Sequence, residues 1–266
     1  MFETEKVAPA IIKLDRAGAV ATVTLNRPDK FNAMIRASWV ALAEAFEQLS
    51  ADMSLRCVIV RGAGERAFCP GADISEFDAA RATAAQARAY GDDIKRALYA
   101  IRDCPHPVVA QIYGPCTGGG LEIATMCDLR LAGASARVGI PINRIGVVLA
   151  YPEYEALLDL VGRGVAMEML LEARVFNADE ALARGLLTRV VPDADLAAEL
   201  EASVARIVSG APLSNRWHKK FARRLAEARP LTEDEYNEPY RAVETEDYRI
   251  GTQAFLAKRK PEFRGR

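Results

Sequence analysis

Histidine is scarce in this sequence, with two in 266 residues, and the five cysteines include no CxxC pair. His106 lies between two prolines and His218 lies in a basic segment, so neither has the spacing of a metal-binding motif such as HExxH. We therefore predict no metal site. An odd number of cysteines in mostly apolar surroundings indicates free thiols in a reducing compartment, and we predict a cytoplasmic protein.

The chain also lacks a charge imbalance and a long apolar run. It has 35 basic and 36 acidic residues, which gives no support to a nucleic-acid partner. No stretch approaches the length of a membrane-spanning helix, and the opening MFETEKVAPAIIKLDR lacks the basic and apolar regions of a signal peptide. We predict no membrane association. The hydrophobic content of 50% is that of an ordinary globular protein.

Several catalytic and cofactor motifs are missing. The sequence has no GxSxG nucleophile elbow and no GxGxxG dinucleotide-binding motif after a strand. Gly118, Gly119 and Gly120 are not followed by Lys and then Ser or Thr, as a phosphate-binding P-loop requires. The sequence therefore predicts neither a redox cofactor nor ATP.

Strand and helix patterns alternate along much of the chain. Residues 11–25 have the pattern of two strands around an Ala-Gly turn, and residues 57–62 and 107–114 have that of strands, the latter with the few polar side chains of a buried parallel strand. Apolar residues at helical spacing predict a helix over 35–52, and a polar, alanine-rich stretch predicts another over 79–103. This alternation favours an α/β fold of stacked strand and helix units.

Helices dominate the C-terminal part of the predicted fold. Asn177 is a predicted N-cap of a short helix. Charged helix formers then predict three helices over 195–208, 215–230 and 246–263, which together form a helical C-terminal subdomain. We interpret the basic residues 216–224 as a solvated helix face rather than an anion-binding site.

The segment GPCTGGGLE, residues 114–122, combines a glycine run with a lone carboxylate. A helix that begins at Thr117 or Gly118 would leave its first amides without helical acceptors, so that they could stabilise an oxyanion; alternatively, the glycines let the helix pack closely on a strand. Glu122 is the only ionisable group in LEIATMC, which predicts a buried carboxylate with a raised pKa, suited to general acid or base catalysis. The alternative is a helix N-terminal carboxylate that still touches water.

A second glycine-containing stretch, residues 61–77, supplies a partner for this site. A turn through residues 70–73, between a strand and a helix, can direct the amide of Ala72 toward the glycine run. Two backbone donors from separate loops can bind one substrate oxygen.

Five segments, in order along the chain, resemble the crotonase superfamily, also called the enoyl-CoA hydratase/isomerase family. They are NRPDKFNAM (26–34), FCPGADISEF (68–77), IYGPCTGGGLEIATMCDLRLA (112–132), ADEALARGLLTRVV (178–191) and AFLAKRKPEF (254–263). The resemblance runs almost end to end. It implies a crotonase-like spiral of ββα units over residues 1–195, and a helical region over 196–266 that builds a homotrimer or a dimer of trimers.

The resemblance also implies an acyl-CoA thioester substrate whose carbonyl oxygen lies between the amides of Ala72 and Gly119. No separate cofactor is implied, because coenzyme A is part of the substrate. Glu122 matches the first catalytic glutamate of the hydratases, where it would orient or activate water or move a proton on the acyl chain. The residues implied to contact CoA are Lys30, Phe31, Ala33, Asp73, Ile74, Ser75, Phe255 and Lys258.

The sequence departs from the hydratase pattern at the second catalytic glutamate. Ile142 in VGIPINRIG occupies that position, and an isoleucine cannot transfer a proton. The candidates for a replacement are Asn143, Tyr151, Glu153 and Glu155. Otherwise the chain carries out enolate chemistry that needs one glutamate, such as decarboxylation, or it is a non-catalytic CoA-ligand-binding or RNA-binding member of the family. The presence of Glu122 and of both donor loops favours catalysis.

Overall fold

The structure is a computed structural model that describes residues 10–266; residues 1–9, with which the predicted core segment begins, lie outside the described part. Its strands are β1 (Ile12–Ala17), β2 (Val20–Leu25), β3 (Cys57–Gly62), β4 (Val108–Ile112), β5 (Pro115–Thr117), β6 (Leu129–Gly133), β7 (Arg137–Gly139), β8 (Val175–Asn177) and β9 (Arg189–Val191). Its helices are α1 (Arg36–Ala51), α2 (Phe77–Ala80), α3 (Ala84–Asp103), α4 (Gly119–Thr125), α5 (Tyr151–Glu172), α6 (Ala178–Ala183), α7 (Leu196–Ser209), α8 (Pro212–Leu225), α9 (Glu233–Asn237) and α10 (Glu246–Leu256).

A six-stranded sheet in the order β1-β2-β3-β4-β6-β9 forms the centre of the fold. The β1–β2 hairpin is antiparallel and every other pair is parallel. The sheet is covered on both faces, which explains why its central strands are so apolar. In β3, Val58 and Val60 join the large core on one face, while Cys57 and Ile59 join a smaller core on the other.

Helices supply the two covers of this sheet. On one face α1 and α3 pack against each other and contribute Trp39, Phe46 and Tyr90, all fully buried, to the large core. On the other face α7 packs over β3, β4 and β6 with Leu196 and Leu200. The helix predicted over 195–208 is therefore the element that completes the second face of the sheet.

A smaller sheet, in the order β5-β7-β8, lies beside the first. The chain repeatedly contributes one strand to the large sheet, one to the small sheet and then a helix, as in β4-β5-α4 and β6-β7-α5. This is a spiral of ββα units, so the predicted α/β fold class is confirmed. Because each turn stacks on the one before, residues far apart in the sequence meet where the small sheet joins the helices.

The helix predicted over 79–103 begins later than the sequence pattern indicated. The structure has the single-turn helix α2, a break at residues 81–83, and then α3. Thr83 is the N-cap of α3: its side chain accepts a hydrogen bond from the amide of Gln86, whose side chain in turn accepts one from the amide of Thr83. This reciprocal capping ends the preceding turn, because the cap residue has an extended backbone. The same cap geometry confirms Asn177 as the N-cap of α6.

The basic segment 216–224 is only in part the solvated face that its composition suggested: His218 and Lys220 are exposed, whereas Arg216 and Lys219 are partly buried. It lies on α8, where the ammonium of Lys219 contacts Asp128 at 2.6 Å and the carbonyl of His106 at 2.7 Å. Arg216 donates to the carbonyl of Met53 at 2.7 Å. Lys219 and Arg216 therefore attach this helix to carbonyl groups at the edge of the core. No helix within residues 10–266 is long and apolar enough to cross a membrane.

Candidate functional site

The glycine run sits where the start of α4 meets the strand segment around Cys69. Gly118 is the N-cap of α4, with a φ of 50° that favours glycine. A Cβ atom on Gly120 would lie 2.0 Å from the carbonyl oxygen of Cys69, and one on Gly119 would lie 2.9 Å from the Trp39 ring. Close packing, the simpler of the two interpretations, thus accounts for Gly119 and Gly120 as glycines.

The same packing leaves two backbone amides free. Within the described residues, neither Ala72 nor Gly119 donates its amide to an acceptor, although the neighbouring Asp73 amide donates to Met34 at 2.7 Å. A Cβ atom on Gly71 would lie 3.2 Å from the amide nitrogen of Gly119, so the two loops are in contact. Two unpaired donors from separate segments therefore lie at one place. Ala72 and Gly119 both line the cavity that opens in front of them.

This cavity has a volume of about 750 Å³. Residues of four segments line it, namely the start of α4, the segment 70–77, α3 and the segment 141–153, together with Trp39 of α1 and Arg81. Its lining is largely apolar, with residues such as Trp39 and Ile142, and includes a few charged groups. A cleft of this size with a few polar groups is typical of a small-molecule site.

Glu122 lies on α4, four residues after the N-cap, and its side chain lines the cavity. The residue is half-buried and lies in the first turn of α4, so it is not the fully buried carboxylate that the apolar sequence around it predicted. Removal from water raises the pKa of Glu122 to about 8; the negative charge of Glu153 adds to this rise, and the positive charge of Arg81 opposes it. The raised pKa expected from the sequence is therefore present. The carboxylate faces the cavity, where it can meet a substrate.

Sequence reasoning did not single out Arg81, which also lines the cavity. Its guanidinium lies 4.7 Å from the ring centre of Phe77 and 5.1 Å from that of Tyr90. In residues 10–266 this guanidinium makes no ion pair or hydrogen bond. The sequence does contain a signal that could have found Arg81. The capping pair Thr83 and Gln86 begins a helix at residue 84, which places Arg81 in the break before α3 and not within a helix.

The predicted CoA-contacting residues fall into two groups. Ile74 lines the cavity beside Ala72 and is 56% exposed. Asp73 and Ser75 follow the same turn: the carboxylate of Asp73 pairs with Arg27 at 3.0 Å and accepts the Ser75 hydroxyl at 2.6 Å. Asp73 and Ser75 are therefore next to the lining residues Ala72 and Ile74 in the chain but do not line the cavity themselves.

The remaining predicted contacts lie outside the cavity lining. Lys30 and Phe31 are exposed on the turn that follows β2, and the Arg66 guanidinium lies 4.3 Å from the centre of the Phe31 ring. Ala33 is nearly buried. Phe255, 83% exposed at the end of α10, and Lys258, just after it, do not line the cavity of the single chain.

The position of the second hydratase glutamate is apolar in three dimensions as well. Ile142 lines the cavity and packs partly against the core. Of the four candidate replacements, Asn143 points elsewhere and donates to the carbonyl of Leu171 at 2.9 Å. Glu155 is exposed and does not line the cavity. Tyr151 lines the cavity but is 92% exposed, whereas Glu153 lines it and is 6% exposed.

Comparison with known proteins identifies the family. The family model "Enoyl-CoA hydratase/isomerase" matches residues 15–266. The chain belongs to the enoyl-CoA hydratase/isomerase family. It is 52% identical to a crystal structure described as an enoyl-CoA hydratase/carnithine racemase from Magnetospirillum magneticum, with a TM-score of 0.96 and 97% of each chain covered.

Two curated relatives with similar sequences are both named as hydratases. The (E)-benzylidenesuccinyl-CoA hydratase of Thauera aromatica is 34% identical over 265 residues, covering 96% of this chain and 99% of that protein. The short-chain-enoyl-CoA hydratase of Clostridium acetobutylicum is 32% identical over 254 residues, covering 94% and 95%. The family thus supports an acyl-CoA enzyme of hydratase or isomerase type for this chain.

Proposed function

We propose that this protein adds water to an α,β-unsaturated acyl-CoA thioester, or isomerises one, with Glu122 as a general acid or base. The observation that carries this proposal is the position of the Glu122 carboxylate, which lines one cavity together with the free amides of Ala72 and Gly119. A thioester oxygen placed between the two amides would gain hydrogen bonds as negative charge develops on it.

The chemistry needs charge stabilisation at the oxygen and proton transfer at carbon. Attack at Cβ, or removal of a proton from the acyl chain, moves electrons toward the thioester carbonyl and produces an enolate. The amides of Ala72 and Gly119 are fixed by the packing of their loops, so they need no reorganisation to bind it. Glu122, with a pKa of about 8, is suited to hold or release a proton near neutral pH.

The coenzyme A part of the substrate would lie along the entrance of the cavity. Support for this comes from the exposed Ile74 in the cavity wall and from the position of Asp73 and Ser75 on the same turn. In this proposal Lys30, Phe31 and Ala33 contact the pantetheine and nucleotide, and the exposed Phe255 and Lys258 complete the CoA site of a neighbouring subunit. A homotrimer, or a dimer of trimers, is the assembly that such sharing implies.

The test is the loss of the enoyl-thioester absorbance when the purified protein meets crotonyl-CoA. Glu122→Gln is nearly isosteric and cannot transfer a proton, so we expect turnover to fall by about 100-fold or more. Glu155→Gln makes the same chemical change on an exposed side chain outside the cavity and is expected to leave turnover unchanged. Undiminished turnover in Glu122→Gln would show that Glu122 is structural.

A second reaction class is favoured by one observation, the apolar side chain of Ile142 where hydratases carry a glutamate. Decarboxylation needs the enolate to be stabilised and does not require that second carboxylate. If crotonyl-CoA binds without turnover, malonyl-type thioesters are the next substrates to assay, with the same pair of variants.

A further inference from the structure

A second carboxylate faces the cavity from a part of the chain well beyond Ile142. Glu153 is the third residue of α5, and its side chain lines the same cavity as Glu122. The helices that carry the two carboxylates, α4 and α5, pack against each other. Glu153 and Glu122 therefore line one cavity from two packed helices.

Glu153 lies in the first turn of α5, where a carboxylate is favoured, but its burial leaves one carboxylate oxygen without a partner in residues 10–266. It is 6% exposed, and its Oε2 atom is buried with no hydrogen-bond partner within the described residues. No ion pair in that part of the chain includes it. Burying a carboxylate without partners costs stability, and a hydrophobic residue at this position would avoid the cost. A buried carboxylate with an unpartnered oxygen, on a residue that lines a cavity, points to a role toward the ligand of that cavity.

We infer that Glu153 is the second proton-transferring carboxylate of this site, so that it and Glu122 together move the two protons of water addition. The role follows from the proposed hydratase function, on which this inference rests, while the pairing itself follows from geometry. One carboxylate acts as the base and the other, in its acid form, as the acid.

The step balances without any group beyond water and the thioester. The carboxylate removes a proton from water as the oxygen bonds to Cβ. The Cα–Cβ π electrons move toward the thioester carbonyl, whose oxygen is held by Ala72 and Gly119. The carboxylic acid then gives its proton to Cα. The net change is addition of H and OH to the double bond, and the site ends with one proton on the opposite carboxyl.

The charges around the pair favour one shared proton. Desolvation raises the pKa of Glu153, whereas its own backbone amide, Arg81 and Lys95 lower it. The charge of Glu153 raises the pKa of Glu122, since two adjacent carboxylates resist joint ionisation. The other titratable or charged groups that line this cavity are Arg88, Asp92, Arg144 and Tyr151, and burial, aided by the charge of Glu122, raises the pKa of the Cys69 thiol.

The pairing can be measured without any substrate. We would follow the infrared absorption of protonated carboxyl groups as a function of pH in the wild type and three variants. Wild-type protein is expected to lose one such band near pH 8, the pKa of Glu122, and Glu122→Gln should lack it. Glu153→Gln should move this midpoint to lower pH, because the neighbouring negative charge is gone, while Glu155→Gln should not move it. An unmoved midpoint in Glu153→Gln overturns the pairing.

The chemical role is measured separately, by comparing hydration with proton exchange. Exchange of the Cα hydrogens of butyryl-CoA in heavy water needs one base and the two amides, whereas hydration of crotonyl-CoA needs both carboxylates. We expect Glu153→Gln to lower hydration by about 100-fold or more and exchange by less than about tenfold. Glu122→Gln should lower hydration by about 100-fold or more, and Glu155→Gln should change neither activity.

The outcomes separate the inference from the function on which it rests. If hydration is unaffected in Glu153→Gln, Glu153 has no catalytic role. If wild-type protein neither hydrates crotonyl-CoA nor exchanges the Cα hydrogens, the proposed function fails and the role of Glu153 fails with it. In that case a shifted infrared midpoint would still establish the carboxylate pair. Glu153→Asp keeps the negative charge and serves as a check. Its infrared midpoint should stay closer to that of the wild type than the midpoint of Glu153→Gln does. Its hydration rate should lie between those of the wild type and Glu153→Gln.

Discussion

Gly120 and Cys69 approach each other so closely that a Cβ atom on Gly120 would lie 2.0 Å from the Cys69 carbonyl oxygen. The obstacle is backbone, which cannot rotate away as a side chain can. This contact brings the start of α4 against the segment that leads to Ala72, and so it sets the relative position of the two free amides.

Gly120→Ala should therefore destabilise the protein and reduce turnover. Overpacking a buried site costs about 1–3 kcal/mol, and separation of α4 from the Cys69 segment would move the amide of Gly119. Denaturant unfolding and turnover with crotonyl-CoA give the two readouts. Gly164→Ala is the matched control, because a Cβ there meets nothing within 4 Å; it should leave turnover unchanged and stabilise its helix by up to about 1 kcal/mol. Wild-type stability in Gly120→Ala would contradict the packing argument.

The raised pKa of Glu122 has a consequence for stability. Its pKa rises from an ordinary value of 4.5 to about 8 in the folded protein, so between these pH values the folded state binds more protons than the unfolded state. Stability should then fall as the pH rises through this window. Glu122→Gln should remove that part of the decline and be more stable than wild type above pH 8, by a few kcal/mol at most, since one pKa unit corresponds to about 1.4 kcal/mol. Thermal unfolding across this pH range measures it; parallel curves for the two proteins would contradict it.

Arg81 should set the pH at which the enzyme works. Its positive charge lowers the pKa of both Glu122 and Glu153, so Arg81→Met should raise both values and shift the ionisation seen in kcat/KM to higher pH. Arg88→Met changes an exposed arginine of the same cavity whose charge is not among the causes of either shift, and its profile should match wild type. A shift of the profile to lower pH in Arg81→Met would contradict the conclusion that the charge of Arg81 lowers these two pKa values.

Lys219 should contribute to stability, in contrast to its neighbour Lys220. The Lys219 side chain is 12% exposed and contacts Asp128 and the carbonyl of His106, so Lys219→Met should cost about 1–3 kcal/mol by leaving both without this partner. Lys220 is 52% exposed and pairs with Glu238, so Lys220→Met should change stability by less than about 1 kcal/mol. Denaturant unfolding of the two variants compares them directly, and equal losses would disprove the distinction.

Much of the site could be predicted from the sequence because its signals are local. The glycine run, the lone carboxylate of Glu122 and the turn before Ala72 each lie within a few residues, and the structure brings all three to one cavity. The helix over 79–103 was predicted too long for a related reason: alanine-rich composition favours helix at every position, while the Thr83 cap acts at one residue and interrupts it.

What the sequence determined alone is the alternation of apolar strands and amphipathic helices, the Asn177 cap and the family to which these patterns belong. Tertiary structure decided which charges meet. Glu153 lies 31 residues beyond Glu122 in the sequence, and only the stacking of α5 on α4 places both beside one cavity. Lys219 likewise looks like any lysine of a basic helix until α8 docks on the edge of the core. Periodicity and caps arise from neighbouring residues, whereas the pKa of Glu122 and the burial of Lys219 depend on chain segments that only folding brings together.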